Sequence, residues 1–345
     1  MRSAVDWLES LSPWPEEFGL ERMQRLLRDL GEPQRRYPSI HVVGTKGKST
    51  ATRTIAELLR AEGLRVGAYT SPHVSGWHER LDTDPATLAR ALARVRPHAD
   101  GATQFEVLTA AALAEFAAQG VDAAVVEAGL GGRLDATNTI DARVVHLTNV
   151  GLEHTDVLGD TREAIAREKL AVAGPEAIVV LGEPEWAPLV AATDVRMGGG
   201  RETAEAFLGR RIEHEVEVRL PGRLERRGEE IWDGAHTPDA AAWLLDRLPR
   251  ADYVLCVSIL ADKDAEGILE RLRGAGGVLV ATQSSNSRSL AAKELAARAE
   301  PYFEHVESIA DPVAALGRAR ELAGPVHPVL VTGSLYLLAD LSADG

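Results

Sequence analysis

In HVVGTKGKST, residues 41–50, a lysine stands between a glycine turn and a serine–threonine pair, the residue types from which a phosphate cradle is built. Gly44 and Gly47 let backbone N–H groups approach phosphate oxygens, and Lys48 adds a mobile positive charge at the transferring end. Thr45 and Lys46 complete the turn, while Ser49 or Thr50 offers a hydroxyl to Mg²⁺ or to the first turn of the following helix. The strict pattern requires glycine at position 42, where this chain has valine, so the spacing is altered. A plain glycine turn feeding a helix competes with this interpretation, and other polar residues bear on the choice.

Ser71 and His73 lie in YTSPH, Glu127 ends the apolar run AAVVE, and Asn149, Glu153 and His154 follow ARVVHL. A glutamate closing a buried strand needs a partner, which Mg²⁺ held by oxygen ligands would supply. A rim salt bridge would serve Glu127 as well, and a local backbone hydrogen bond would serve His154. GLGGRLDATN, residues 129–138, joins three glycines to Arg133 and Asp135. Such a loop can approach a ligand closely and offer Arg133 to an anion, or it can be a structural turn in which Asp135 orients Arg133.

These groups need a scaffold that brings several strand ends to one edge. VDWLES and GLERMQRLLRDLG suggest short helices, the second ended by Gly31. SIHVV runs into the glycine turn, and TATRTIAELLRAEG has apolar residues at helical spacing, so strand, loop and helix follow in order. LRVGAYTS, VDAAVVEAG, ARVVHLTNV and AIVVLGE read as further strands, with FEVLTAAALAEFAAQG and TREAIAREKLAVAG as helices. The alternation predicts an α/β fold with a mostly parallel sheet whose ligand groups gather beyond the carboxyl ends of its strands. Between about 190 and 218 the pattern weakens around GGG at 198–200 and the helical RETAEAFLG. The boundary is placed near Leu220 or Pro221, giving a phosphate-loop domain at 1–219 and a smaller, Rossmann-like α/β domain at 220–345. In the latter, ADYVLCVSIL, GGVLVATQ and HPVLVTG alternate with helical segments.

A chain of 345 residues with 45% apolar and 26% charged residues has the composition of an ordinary globular protein of two domains. Its 38 Lys and Arg against 52 Asp and Glu, net −14, oppose general nucleic-acid binding and leave small anionic substrates open. No segment approaches the roughly 20 apolar residues of a membrane span, and no leader pattern opens the chain. The single Cys256, in YVLCVSI, has no disulfide partner within the chain and suits a reducing compartment. A cytoplasmic location follows as an expectation.

The stretches IHVVGTKGKST, YTSPHVSGWHERL, FEVLTAAALAEFA, VVEAGLGGRLDATN, NVGLEHTDVLGDTREAIAREK, LPGRLE, DGAHTPDA, ADKDAEGIL and VLVTGSLYLLADL, in this order, resemble folylpolyglutamate synthase and bifunctional dihydrofolate synthase of the Mur ligase superfamily. That resemblance implies an ATP-dependent ligase with a central ATP-binding domain and a C-terminal glutamate-ligase domain. The carboxylate of a folate or dihydropteroate would attack the γ-phosphoryl group, and the amine of L-glutamate would then capture the acyl phosphate. It further implies that Lys48 contacts the ATP phosphates, that Ser71, Glu127 and His154 bring Mg²⁺, and that Lys169 in AREK is carbamylated into a carboxylate-like ligand. Arg223, Asp233 and His236 match residues near the nucleotide in the second domain. Asp262 and Lys263 match a DKD turn that contacts substrate or nucleotide, unless it is a solvated loop. Closure between domains would exclude water, which hydrolyses acyl phosphates. The family permits a monomer.

Departures bear on the choice of acid more than on the catalytic plan. After WHERL the usual asparagine–glycine segment is replaced by DTDPATLARAL, and the section after Lys169 is short. Lys46 stands for a common asparagine, Ser49 for a glycine, and Thr237 for an asparagine whose amide it cannot fully reproduce. GKST is closer to the peptidoglycan-building Mur ligases, but only about 40 residues precede the loop, too few for their nucleotide-sugar domain. A related amide ligase acting on a different acid and amine is the alternative, and a non-catalytic nucleotide-binding protein is a third.

Overall fold

In the computed structural model, residues 3–74, 76–218 and 220–343 are described. The chain divides into two compact units, one of residues 1–73 and 77–218, the other of 74–76 and 219–345.

The first unit is built on strands β1 (Ser39–Val43), β2 (Val66–Tyr69), β3 (Ala123–Glu127), β4 (Ala142–Leu147), β5 (Ile178–Leu181) and β6 (Asp194–Met197). They pair throughout in parallel, in the order β2-β3-β1-β4-β5-β6. Its helices are α1 (Ala4–Glu9), α2 (Glu21–Asp29), α3 (Lys48–Ala61), α4 (Pro85–Val95), α5 (Gln104–Gln119), α6 (Thr155–Leu158), α7 (Arg162–Leu170) and α8 (Gly200–Leu208). Parallel strands covered on both faces are largely apolar on both, which explains Ile40, Val42 and Val43 in β1 and the run Ala123–Val126 in β3. Ile40 and Val42 of β1 pack with Ile55 and Leu59 of α3 and Phe207 of α8; Val43 packs on the opposite face with Leu108 and Leu113 of α5. Helix α5 is nearly all buried and begins with a reciprocal cap, in which Thr103 accepts from the Glu106 amide and Glu106 from the Thr103 amide. Because β3 and β4 flank β1, the crossover from β1 to β2 and the connection from β3 to β4 run in opposite directions across the sheet. The loops after β1, β3 and β4 therefore meet at a switch point beyond the carboxyl ends.

The second unit carries β7 (Glu225–Arg227), β8 (Glu230–Asp233), β9 (Val254–Val257), β10 (Val278–Ala281), β11 (His305–Ser308) and β12 (Val329–Thr332), ordered β11-β10-β9-β12-β8-β7. Only β7 is antiparallel to its neighbour among these pairs. Helices α9 (Pro238–Leu245), α10 (Ala265–Leu272), α11 (Ala292–Ala299), α12 (Pro312–Ala323) and α13 (Leu335–Ala343) complete it. Cys256 is fully buried in β9, and burial pushes its thiol up to about 12, so it is an inert apolar residue at neutral pH. Among the described residues no helix is long and apolar enough to cross a membrane.

Candidate functional site

The glycine turn after β1 is fastened to the turn after β4. The Thr45 amide donates to Asn149 O at 3.0 Å, the Lys46 amide to Asn149 Oδ1 at 3.0 Å, and Asn149 Nδ2 to Lys46 O at 2.8 Å. Thr45 Oγ1 also accepts from the Gly151 amide at 3.0 Å. Gly44, at φ +146°, lies so close to Thr148 Oγ1 that a β-carbon there would collide with it. Gly47, at φ +79°, ends the turn, and α3 begins at Lys48 with no side-chain cap, which leaves its first amides available to an anion. Lys48 Nζ folds back onto Gly44 O at 3.0 Å and Thr45 O at 3.4 Å. Thr50 is exposed one turn into the cradle's helix.

Ser49 does not cap α3; it reaches the end of β3. Its hydroxyl donates to Glu127 Oε1 at 3.0 Å, and the Ser71 amide donates to Glu127 Oε2 at 3.1 Å. Glu127 is 1% exposed, and burial pushes its carboxyl up to about 7 against the opposing pull of Lys48, the two donors and Arg80. No rim salt bridge is needed to hold it. A carboxylate flanked by two hydroxyl-bearing serines is a set of hard oxygen donors, the chemistry that fits Mg²⁺ completed by water and phosphate oxygens.

His154 lies in the turn after β4, before α6. It is exposed at φ +44° just before α6, and among the described residues no group of three or more His, Cys, Asp and Glu could hold a metal. His73 follows β2, where its Nδ1 accepts from Arg80 Nε at 3.0 Å and its ring lies 4.3 Å from that of Trp77. Burial, with the Arg80 charge, pushes the His73 imidazole down to about 3, so it is neutral.

Lys169, on α7, is 1% exposed, and its Nζ donates to Gly44 O at 3.0 Å and pairs with Glu153 Oε1 at 2.7 Å. Burial pushes its ammonium down while Glu153 pulls it up. The loop 129–138 packs on this lysine's backbone: a β-carbon at Gly132 would lie 2.7 Å from Glu168 O and 2.8 Å from Lys169 O. Arg133 pairs with Glu168 at 2.9 Å. Asp135 turns inward, accepting from the amides of Leu130 at 2.8 Å and Thr137 at 3.0 Å and from the Thr137 hydroxyl. The structure thus gives Arg133 a different carboxylate from the Asp135 that its proximity in sequence suggests. Beneath Asp135, Thr137 meets His41 of β1, a contact with no local signal because 96 residues separate the two.

In the second unit, β8 ends in Asp233, which is 3% exposed and accepts from the Leu224 amide at 2.9 Å and the Ala235 amide at 2.9 Å. Burial raises its carboxyl against the pull of these donors and of Arg223. His236 Nδ1 lies 2.8 Å from Gly234 O. Thr237 caps α9 by accepting from the Ala240 amide at 3.2 Å, a task asparagine performs equally well. Asp262 pairs with Lys263 at 3.3 Å and Arg288 at 3.5 Å, while Asp264 caps α10.

Residues 42–182 match the Mur ligase middle domain, and residues 222–335 match the Mur ligase glutamate ligase domain. These two matches, on this fold, make the chain a ligase of the Mur type. A probable bifunctional folylpolyglutamate synthase/dihydropteroate synthase of Haloferax volcanii is 33% identical over 98% of this chain, which spans 49% of that relative's length. A dihydrofolate synthase/folylpolyglutamate synthase of Mycobacterium tuberculosis is 31% identical, covering 84% of this chain and 80% of the relative. The structure of Escherichia coli FolC in complex with DHPP and ADP superposes with a TM-score of 0.84 at 29% identity, covering 99% of this chain and 97% of that one. The chain belongs to the folylpolyglutamate synthase/dihydrofolate synthase family of the Mur ligase superfamily.

Proposed function

We propose that this chain joins the carboxylate of dihydropteroate or a reduced folate to the amine of L-glutamate, with ATP as phosphoryl donor and an acyl phosphate as intermediate. The observation that carries the proposal is the joint placement of Lys48 and Glu127 at the switch point, linked through Ser49. Binding of ATP there follows from the open amides of α3 and from the ADP in the related E. coli structure. Lys48 leaves Gly44 O to meet the γ-phosphoryl oxygens, where positioned positive charge stabilises transfer. Glu127, Ser71 and Ser49 would hold Mg²⁺ through oxygen, and the ion would neutralise phosphate charge when bound. His154 joins them on the strength of the family resemblance.

The substrate acid lies against the 129–138 loop, with Arg133 and His73 as its candidate contacts. Its oxygen attacks phosphorus and ADP leaves; the glutamate amine then attacks the acyl carbon, phosphate departs, and the amide forms. No protein nucleophile is required. Lys169 enters as its carbamate: CO₂ adds to the neutral amine, a proton is lost, and the group becomes an anion. That conversion removes the cation now paired with Glu153, and the lowered ammonium pKa favours the amine that CO₂ requires. Arg223, Asp233, His236, Asp262 and Lys263 complete the nucleotide and substrate contacts in this proposal. Residues 1–219 and 220–345 serve as ATP-binding and glutamate-ligase domains of a cytoplasmic monomer.

A panel of acids and amines, each incubated with Mg²⁺ and ATP and read by product mass, tests the proposal. A glutamyl adduct of dihydropteroate or a reduced folate is the expected product. Turnover of other acid–amine pairs alone would replace it with a related ligase, and ATP binding without any product would leave a nucleotide-binding protein.

A further inference from the structure

Among the residues that no step above uses, His41 stands out. It is a fully buried imidazole on β1, three residues before Gly44 opens the phosphate turn, between Val126 of β3 and Val145 of β4. Its Nε2 lies 2.8 Å from Thr137 Oγ1, and Thr137 in turn bonds Asp135 through both its hydroxyl and its amide. The direction of this chain is fixed by chemistry. Both Asp135 oxygens are occupied as acceptors, Oδ2 by the Leu130 amide and Oδ1 by the Thr137 amide and hydroxyl, so the Thr137 hydroxyl spends its single proton there and its lone pair receives the proton on His41 Nε2. His41 is then the Nε2–H tautomer, and its Nδ1 is buried with no hydrogen-bond partner among the described residues. Burial pushes the imidazole down to about 3, consistent with a neutral donor. Packing alone favours an apolar residue of this size, since an orphaned ring nitrogen is destabilising. What the imidazole supplies is one directed N–H, aimed up at the loop.

We propose that His41 is a positioning residue for the acid substrate: through Thr137 it holds Asp135, and through Asp135 the 129–138 loop, in its working shape. Asp135 gathers the Leu130 and Thr137 amides from the two sides of that loop, whose Gly132 rests on the backbone of Glu168 and Lys169. Loosening the brace frees the loop while the hydrogen bonds that fasten the phosphate turn to Asn149 stay intact. The proposal rests on the assignment of the loop to the acid substrate, so its test has one readout that needs no substrate.

His41→Leu and Thr137→Val remove the donor and the relay at nearly constant volume; Thr137→Ser keeps the hydroxyl. Hydrogen exchange at the Leu130 and Thr137 amides is expected to quicken about five-fold in the first two full-length variants, the loss set by one buried hydrogen bond, and to return in Thr137→Ser. With Mg²⁺-ATP, L-glutamate and dihydropteroate or a reduced folate, KM for the acid should rise about five-fold while KM for ATP stays within about two-fold. Unchanged exchange in both variants overturns the brace. Faster exchange with acid and ATP KM rising together, or with neither rising, assigns His41 a merely structural role and also overturns the proposal. Absence of acid-dependent turnover in the wild-type chain overturns the substrate assignment, and with it the role in acid binding, whereas the exchange result still reads the brace.

Discussion

Replacing Glu127 by glutamine separates what the residue does for function from what it does for the fold. Its carboxyl is raised from the ordinary 4.5 to about 7, with burial as the leading cause. A carboxyl raised in the folded state stays protonated there after the unfolded chain has ionised, so stability is full below about pH 4.5 and is lost as pH rises through about 7. The difference between the two values corresponds to about 3 kcal/mol for a group that is 1% exposed. Glutamine preserves the volume and carries no charge. Its oxygen accepts from the Ser71 amide, and its NH₂ donates to Ser49 Oγ, which turns to accept. In urea unfolding of metal-free protein, Glu127→Gln should therefore be more stable than wild type by about 2–3 kcal/mol near pH 8.5, a gap that closes near pH 4.5. Turnover should fall at least about 100-fold, since the charged ligand is gone. Equal destabilisation at both pH values would refute the buried-charge argument, and full metal-dependent turnover would refute the proposed role of the carboxylate.

Lys48→Ala should lower kcat by about three orders of magnitude with little change in melting temperature, because among the described residues the part-buried lysine hydrogen-bonds to carbonyls of its own loop; a large loss of stability would contradict this. Intact-peptide mass of active protein should show one CO₂ on Lys169, and an unmodified lysine in fully active enzyme would remove the carbamate from the mechanism. Asp82 bridges Arg53 and Arg60 of α3, which hold its carboxyl below the usual range against burial. Asp82→Asn should destabilise by about 1–3 kcal/mol at neutral pH, and the difference should vanish as pH falls through the folded-state pKa of Asp82, measured by chemical denaturation. Thr237→Ala should cost about 1 kcal/mol through the lost cap of α9, whereas Thr237→Asn should stay within a few tenths.

Where burial makes a strand apolar on both faces, the sequence announces it. SIHVV before the glycine turn and TATRTIAELLRAEG after it appear as β1 and α3, and the strands flanking them read as clearly. Edge and polar strands carry no such signal: β6 is DVRM, β8 is EIWD and β11 is HVES, each broken by charge. Helix α4 carries a signal of its own, since Asp84 caps it and Pro85 occupies its first turn. Within the site, residue types and strand-end positions marked Lys48, Ser71 and Glu127. The pairing of Ser49 with Glu127 lies 78 residues apart and depends on strand register, which local pattern does not contain. The same holds for Lys169 and Gly44, 125 residues apart.

The central claim is that the acid is phosphorylated before the amine attacks it, and the fate of a carboxylate oxygen reports this directly. With dihydropteroate or a reduced folate labelled with oxygen-18 in the reacting carboxylate, one labelled oxygen should appear in the inorganic phosphate for each amide formed. Amide formation with unlabelled phosphate would contradict it.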